Sequence, residues 1–233
     1  MTLDDLIIKL REIKKRGFIK TTRPHHGGVG NTLEDCLGVK ENNLRLPDLG
    51  EVELKAKRIN SKSMLTLSSR APLPKGVNKI LYNKYHHSTE EGKGKLYTTV
   101  YGSRPNNKGL KVTIEDNLLV LENPDNIKAY WPLESLDDVL KTGENKILLS
   151  LAKTKGKLGG KDEEFNYIEA YLLNGINFNR LKKAIQNDAL KIDIRIGYDI
   201  HGKKVGKYHD HGTGFRIMIN KYLDLFDEVK KLI

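Results

Sequence analysis

The chain has 233 residues, and 41 Lys and Arg against 30 Asp and Glu give it a formal charge of +11 and a pI near 9.5. It is long enough to bury a real core as one domain, and basic enough to favour a phosphate polymer, because each phosphate neutralised releases counterions. A mean hydropathy of -0.53, no apolar run of membrane-spanning length and an N-terminus carrying Asp4 and Asp5 argue against a membrane protein and a signal peptide, and the lone Cys36 excludes an internal disulfide and fits a reducing cytoplasm.

Leu3, Leu6, Ile7, Leu10 and Ile13 recur at helical spacing over residues 3–16, with Thr2 as an N-cap, Lys14-Lys15-Arg16 at the negative end and Gly17 as the stop. A basic, glycine-rich loop from Thr21 to Gly30 follows, then a second helix predicted from about Asn31 to Gly38, in which Cys36 reads as a small packed residue. Glu51 to Ala56 is predicted as a strand, with Met64 to Leu67 as its neighbour. Lys95 to Tyr101, Lys111 to Ile114, Leu118 to Leu121 and the strongly apolar Lys146 to Ala152 read as further strands. Gly156 to Glu164 reads as a surface loop, and Phe165 to Leu173 fits either a strand or the start of a helix. A helix over Phe178 to Asn187, strands over Lys191 to Ile196 and Phe215 to Ile219, and a final amphipathic helix from about Tyr222 complete a mixed α/β architecture without internal repeats.

The chemistry concentrates first at Pro47-Asp48-Leu49-Gly50-Glu51-Val52-Glu53-Leu54-Lys55. Alternation along the strand puts Glu53 and Lys55 on one face and Val52 and Leu54 on the other. Pro47 favours a turn and Gly50 gives the chain room to bring the Asp48 carboxylate back beside Glu53. Two hard carboxylates suit Mg²⁺, which keeps several waters, and Lys55 is placed to orient an attacking water or to stabilise a phosphorane-like transition state. An ordinary Glu-x-Lys ion pair on a strand face is the competing explanation.

A second concentration lies near the C-terminus, in Asp193-Ile194-Arg195-Ile196-Gly197, then Lys203, Lys204 and Lys207, then His209-Asp210-His211-Gly212-Thr213-Gly214-Phe215-Arg216. Ile192, Ile194 and Ile196 face one side of their strand, Asp193 and Arg195 the other, and Arg216 opens a following strand that pairs with it. Arginine forks match guanine O6 and N7, with His209, Asp210 and His211 at hand to read or buttress neighbouring bases, and the lysines placed for phosphates or water. For Arg195 alone, an ion pair with Asp193 competes. The His209 and His211 pair with Asp210 lacks the further ligand that zinc needs.

Together these residues resemble the MvaI/BcnI family of type II restriction endonucleases, most nearly its MvaI-like branch. The resemblance is carried by Gly30-Asn31-Thr32-Leu33-Glu34-Asp35, Pro47-Asp48 with Glu53-Leu54-Lys55, Leu65-Thr66-Leu67, Gly102-Ser103-Arg104, and the Asp193 to Gly197 and His209 to Arg216 segments, in order along nearly the whole chain. It implies a PD-(D/E)XK nuclease core, a mixed β-sheet flanked by helices, with a DNA-recognition lobe. The catalytic elements would lie mainly in residues 1–155 and the base-reading elements at about 190–220. It also implies Mg²⁺-dependent cleavage of double-stranded DNA at a CC-N-GG-like site by a monomer that nicks the strands in turn, with a cognate methyltransferase encoded nearby but not bound. Asp48 and Glu53 would hold metal, Lys55 and Glu34 would complete the active site, and Arg195, Arg216 and Arg104 would meet DNA. Ser68-Ser69 departs from the Phe that follows Leu-Thr-Leu in relatives, and Gly214 stands where BcnI-like enzymes carry a histidine, which favours A·T at the centre (CCWGG). A MutH-like strand-nicking repair endonuclease and a non-cleaving DNA-binding module are the alternative functions.

Overall fold

The computed structural model describes residues 2–39, 52–87, 94–137, 146–198 and 208–233, without the side chains of Tyr198, Tyr208 and His209. In chain order the elements are α1 (Leu3–Lys15), β1 (Ile19–Lys20), α2 (Gly28–Leu37), β2 (Val52–Arg58), β3 (Leu65–Arg70), α3 (Val77–Tyr85), β4 (Leu96–Val100), β5 (Lys111–Glu115), β6 (Leu118–Glu122), β7 (Tyr130–Pro132), β8 (Lys146–Lys155), β9 (Glu164–Ile176), α4 (Phe178–Gln186), β10 (Leu190–Tyr198), β11 (Tyr208–Asp210), β12 (Thr213–Ile217), α5 (Ile219–Tyr222) and β13 (Phe226–Lys231). The mixed α/β expectation holds. Two compact units emerge: residues 1–63, 142–176 and 226–233 form the first, residues 64–141 and 177–225 the second. Among the described residues, no helix is long and apolar enough to cross a membrane.

The first unit is a five-stranded sheet in the order β1-β9-β8-β2, with β13 also on β9. β2 runs parallel to β8, Glu53 opposite Ile147 and Lys55 opposite Leu149, while β9 is antiparallel to β8. A parallel pair needs a long crossover, and here the crossover contains the chain of the second unit's strands β3 to β7. Leu6, Leu10 and Ile13 of α1 and Val29, Leu33 and Leu37 of α2 bury themselves against Leu54, Leu148, Ala152, Phe165, Tyr167, Ala170 and Leu172 on one face of this sheet. Thr2 caps α1 in a reciprocal capping box with Asp5, as its side chain allows.

The second unit holds a five-stranded sheet in the order β11-β10-β12-β3, with β4 on the other edge of β10, and a three-stranded sheet β5-β6-β7. Ile192, Ile194 and Ile196 are buried, at most 1% exposed, as the alternation predicts.

Three expectations are corrected. The Met64 to Leu67 segment is not the neighbour of β2: it enters β3, which pairs with β12 in the second unit. The C-terminal segment is not one helix, because only α5 and a short 3-10 turn are helical before Phe226–Lys231 joins the edge of β9. Finally, α2 starts at Gly28, three residues before Asn31; a Cβ at Gly28 would lie 2.6 Å from the Arg23 carbonyl oxygen and 2.7 Å from Thr21 Oγ1, so only glycine lets the loop turn into the helix so tightly.

Candidate active site and nucleic-acid interface

On β2 the apolar side chains take the helix face as the sequence predicts: Leu54 is buried against the helices, with Val52 and Ala56 packed beside it. Glu53 and Lys55 stand on the other face, with Lys55 Nζ 3.6 Å from Glu53 Oε1 and both side chains half-buried. This is the ion pair of the ordinary reading and also the carboxylate–ammonium pair that phosphodiester chemistry requires; the geometry is common to both. Asp48 lies outside the described residues, as do Lys203, Lys204 and Lys207 and the side chain of His209. Glu34 sits half-buried on α2, which packs against β2, and its Oε1 turns back along the helix to within 3.9 Å of where a side chain at Gly30 would begin.

Among the described residues, no group of three or more His, Cys, Asp or Glu gathers as a metal cluster. Mg²⁺ needs no such cluster, since one or two carboxylates and several waters suffice. Glu53 fits that demand: it supplies hard oxygens, and its side chain is 33% exposed, which leaves room for water and phosphate.

β2 ends in a feature that sequence reasoning missed. Arg58 donates from Nε to Glu163 Oε1 at 2.6 Å, from Nη2 to Glu163 Oε2 at 2.7 Å and from Nη1 to the His26 carbonyl at 2.8 Å. Its guanidinium carbon lies 5.2 Å from the centre of the Phe165 ring. Glu163 also accepts from the Gly159 amide at 2.9 Å, and its own carbonyl accepts from Thr21 N at 2.8 Å. The buried pair therefore pins the Thr21 to Gly27 loop, which leads into α2 and Glu34, to the strand that carries Glu53 and Lys55. Burial alone would raise the Glu163 carboxyl, but hydrogen bonds from Arg58 and the Gly159 amide, with the Arg58 charge, hold it below the ordinary carboxylate value. The two residues are 105 positions apart, and no local pattern connects them.

The second unit brings the predicted arginines together. β10 and β12 are antiparallel neighbours, with Lys191 opposite Arg216 and Asp193 opposite Gly214. Asp193, 8% exposed, accepts from Arg216 Nη1 at 2.8 Å and from Thr99 Oγ1 at 2.7 Å. The acid thus pairs with Arg216 rather than Arg195. Arg195 lies over Gly214 and donates to the Gly212 carbonyl from Nε at 3.4 Å and Nη2 at 3.3 Å. A Cβ at Gly214 would come within 3.2 Å of Arg195 Nη2, so the missing side chain makes the space this guanidinium occupies. Asp210 braces the following turn, accepting from the Gly212 amide at 2.7 Å and from the Asn78 side chain on α3. The His211 ring meets Tyr97 edge-on at 6.2 Å. Arg104 lies in the loop after β4, 3.4 Å from Asp188 and 4.8 Å from the centre of the Tyr101 ring. Of the sequence-predicted DNA contacts, Arg195, Arg216, Asp210, His211 and Arg104 thus belong to this unit; Asp193, through the β10–β12 pairing, and Asn78, from α3, are supporting residues whose roles depend on contacts distant in sequence.

A sequence model of the MvaI/BcnI restriction endonuclease family matches residues 7–226. Among solved structures, a complex of the restriction endonuclease MvaI with its cognate DNA substrate is 32% identical, covers 100% of both chains and superposes with a TM-score of 0.81. MvaI in the absence of DNA, at the same 32% identity and covering 100% of this chain and 99% of the other, gives 0.63. No curated protein sequence matches.

Proposed function

The chain belongs to the MvaI/BcnI restriction endonuclease family and is a type II site-specific endonuclease, and from this premise we propose that it cuts double-stranded DNA at a CC-N-GG-like site, CCWGG in preference, as a Mg²⁺-dependent monomer that nicks the two strands in turn. The observation that carries the reading is the pairing of Glu53 with Lys55, 3.6 Å apart on the face of β2 opposite the helices. The similarity to a relative solved in complex with its cognate DNA substrate supports duplex DNA as substrate.

Catalysis belongs to the first unit. Asp48 and Glu53 would hold the divalent ion, which when bound supplies charge neutralisation at the phosphate and a more acidic water. Lys55 holds that water or the developing negative oxygens through its ammonium, and Glu34 supports the site from α2. Recognition belongs to the second unit. Arg216, oriented by Asp193, and Arg195, lying in the space that Gly214 leaves, each offer a fork to a guanine edge. Fixing a guanidinium in advance removes part of the side-chain entropy that binding otherwise loses. Arg104 and the Lys203, Lys204 and Lys207 cluster meet backbone phosphates, and His209 and His211 complete the base contacts.

The test is digestion of a sequenced plasmid in Mg²⁺ with every end mapped. Cuts confined to CCWGG support the reading, cuts at CCSGG move the central-pair assignment to the BcnI-like pattern, and cleavage without any sequence preference refutes it.

A further inference from the structure

The loop that joins β4 to β5 forms, with β4, an open groove of about 460 Å³ within the second unit; His87, Arg104 and Lys108 line it together with Tyr97, Asn106 and Asn107. No carboxylate is among its lining residues, and the Asp188 that lies 3.4 Å from Arg104 sits outside the lining, on the connection between α4 and β10. The cations are already placed: Lys108 Nζ lies 3.1 Å from His87 Nδ1, and Arg104 lies over the Tyr101 ring, which Lys191 also approaches at 5.6 Å.

The loop is held at both ends by side-chain hydrogen bonds. Asn106 donates to Thr98 Oγ1 at 3.0 Å and to the Thr99 carbonyl at 2.9 Å, and its Oδ1 accepts from the amides of Lys108 at 2.9 Å and Leu110 at 3.0 Å. At the other end, Asp188 accepts from the Gly102 and Ser103 amides, both at 3.0 Å, and from Ser103 Oγ at 2.5 Å. Donors fixed in this way lose less entropy when they meet an anion.

The place of the groove says which anion. Tyr97 is the register partner of Arg195, and Thr99 donates to the Asp193 that orients Arg216. The strand that floors the groove, β4, is therefore one strand spacing, about 4.8 Å, from the Arg195-bearing β10. We infer that it is a binding site for the phosphodiester backbone immediately outside the recognition sequence, with Arg104 and Lys108 on neighbouring phosphates and Asn107 and Tyr97 beside the sugar. This deepens the duplex-DNA reading above and rests on it.

Metal-free binding of the whole protein is measured on two cognate duplexes, one ending at the site and one extended by about one helical turn, roughly ten base pairs. The extended duplex is also made with neutral methylphosphonates in the first flanking steps. Wild-type protein should bind the extended duplex more tightly and lose roughly tenfold on methylphosphonate substitution, and its log–log salt slope should be steeper by about 2 than that of Arg104→Ala/Lys108→Ala. That double variant should ignore the methylphosphonates and lose clearly less affinity for the site-only duplex than for the extended one, whereas Arg104→Lys/Lys108→Arg should keep the coupling. Equal losses on both duplexes, or unchanged methylphosphonate sensitivity in the alanine variant, would overturn the groove assignment while leaving duplex recognition intact. Failure of the wild type to bind either duplex would overturn both.

Discussion

Replacing Arg58 by methionine strips the Glu163 carboxylate of two hydrogen bonds, at 2.6 and 2.7 Å, and leaves it only the Gly159 amide. The Glu163 side chain is 2% exposed, so water does not restore what is lost. Breaking a buried pair from one side typically costs about 3 to 5 kcal/mol, and for a chain of this size each kcal/mol lowers Tm by about 2 to 4 °C. A fall of about 6 to 20 °C is expected at neutral pH by circular dichroism or calorimetry. The acid limb gives the sign independently. Because the folded carboxyl sits below its ordinary value of 4.5, its contribution is complete above that pH and is lost as pH falls through the lower folded value. Glu163→Gln should therefore be less stable than wild type at neutral pH and converge on it in acid. Arg58→Met/Glu163→Leu, which leaves no buried charge, should recover most of the loss. If Arg58→Met melts with the wild type, or if the double variant is as unstable as the single one, the pair does not pin the loop through its charges.

Glu53→Ala should abolish Mg²⁺-dependent cleavage while leaving specific binding in place, and Lys55→Ala should slow cleavage by on the order of a hundredfold; single-turnover rates and gel-shift affinities separate the two effects, and full cleavage by Glu53→Ala would sink the site. Arg195→Ala and Arg216→Ala should each weaken cognate binding by about 1 to 3 kcal/mol with little change on scrambled DNA, whereas Lys204→Ala should weaken both alike. Gly214→Ala puts a methyl within 3.2 Å of the Arg195 fork, so it should leave Tm nearly unchanged yet reduce the discrimination between cognate and scrambled duplexes; unchanged discrimination would show that Arg195 works from another position. On a supercoiled plasmid with one site, open circles should accumulate before linear DNA, because one active site cannot hold both scissile phosphates; a product that stops at the nick would favour the repair-type alternative, and concerted linearisation rising steeply with protein concentration would refute the monomer.

Local periodicity alone determined much of this protein. The spacing of Leu6, Leu10 and Ile13 specified α1, and the alternation through Ile192, Ile194 and Ile196 specified which way Asp193 and Arg195 point. The same rule of two put Glu53 beside Lys55. What the tertiary structure decided is pairing, because hydrogen-bonded ladders and buried charges join residues that no short window contains. Phe226, Val229 and Leu232 satisfy a helical spacing, but the 13-residue β9 has an edge beyond β1 whose backbone groups need partners, and that edge takes the segment as a strand. Met64 to Leu67 looks like the neighbour of β2 in sequence, yet β2 pairs with the apolar β8 and β3 pairs with β12. Arg58 finds Glu163 because burial removes water as a competitor, and Arg216 rather than Arg195 takes Asp193 because the antiparallel pairing of β10 with β12 brings those two side chains together.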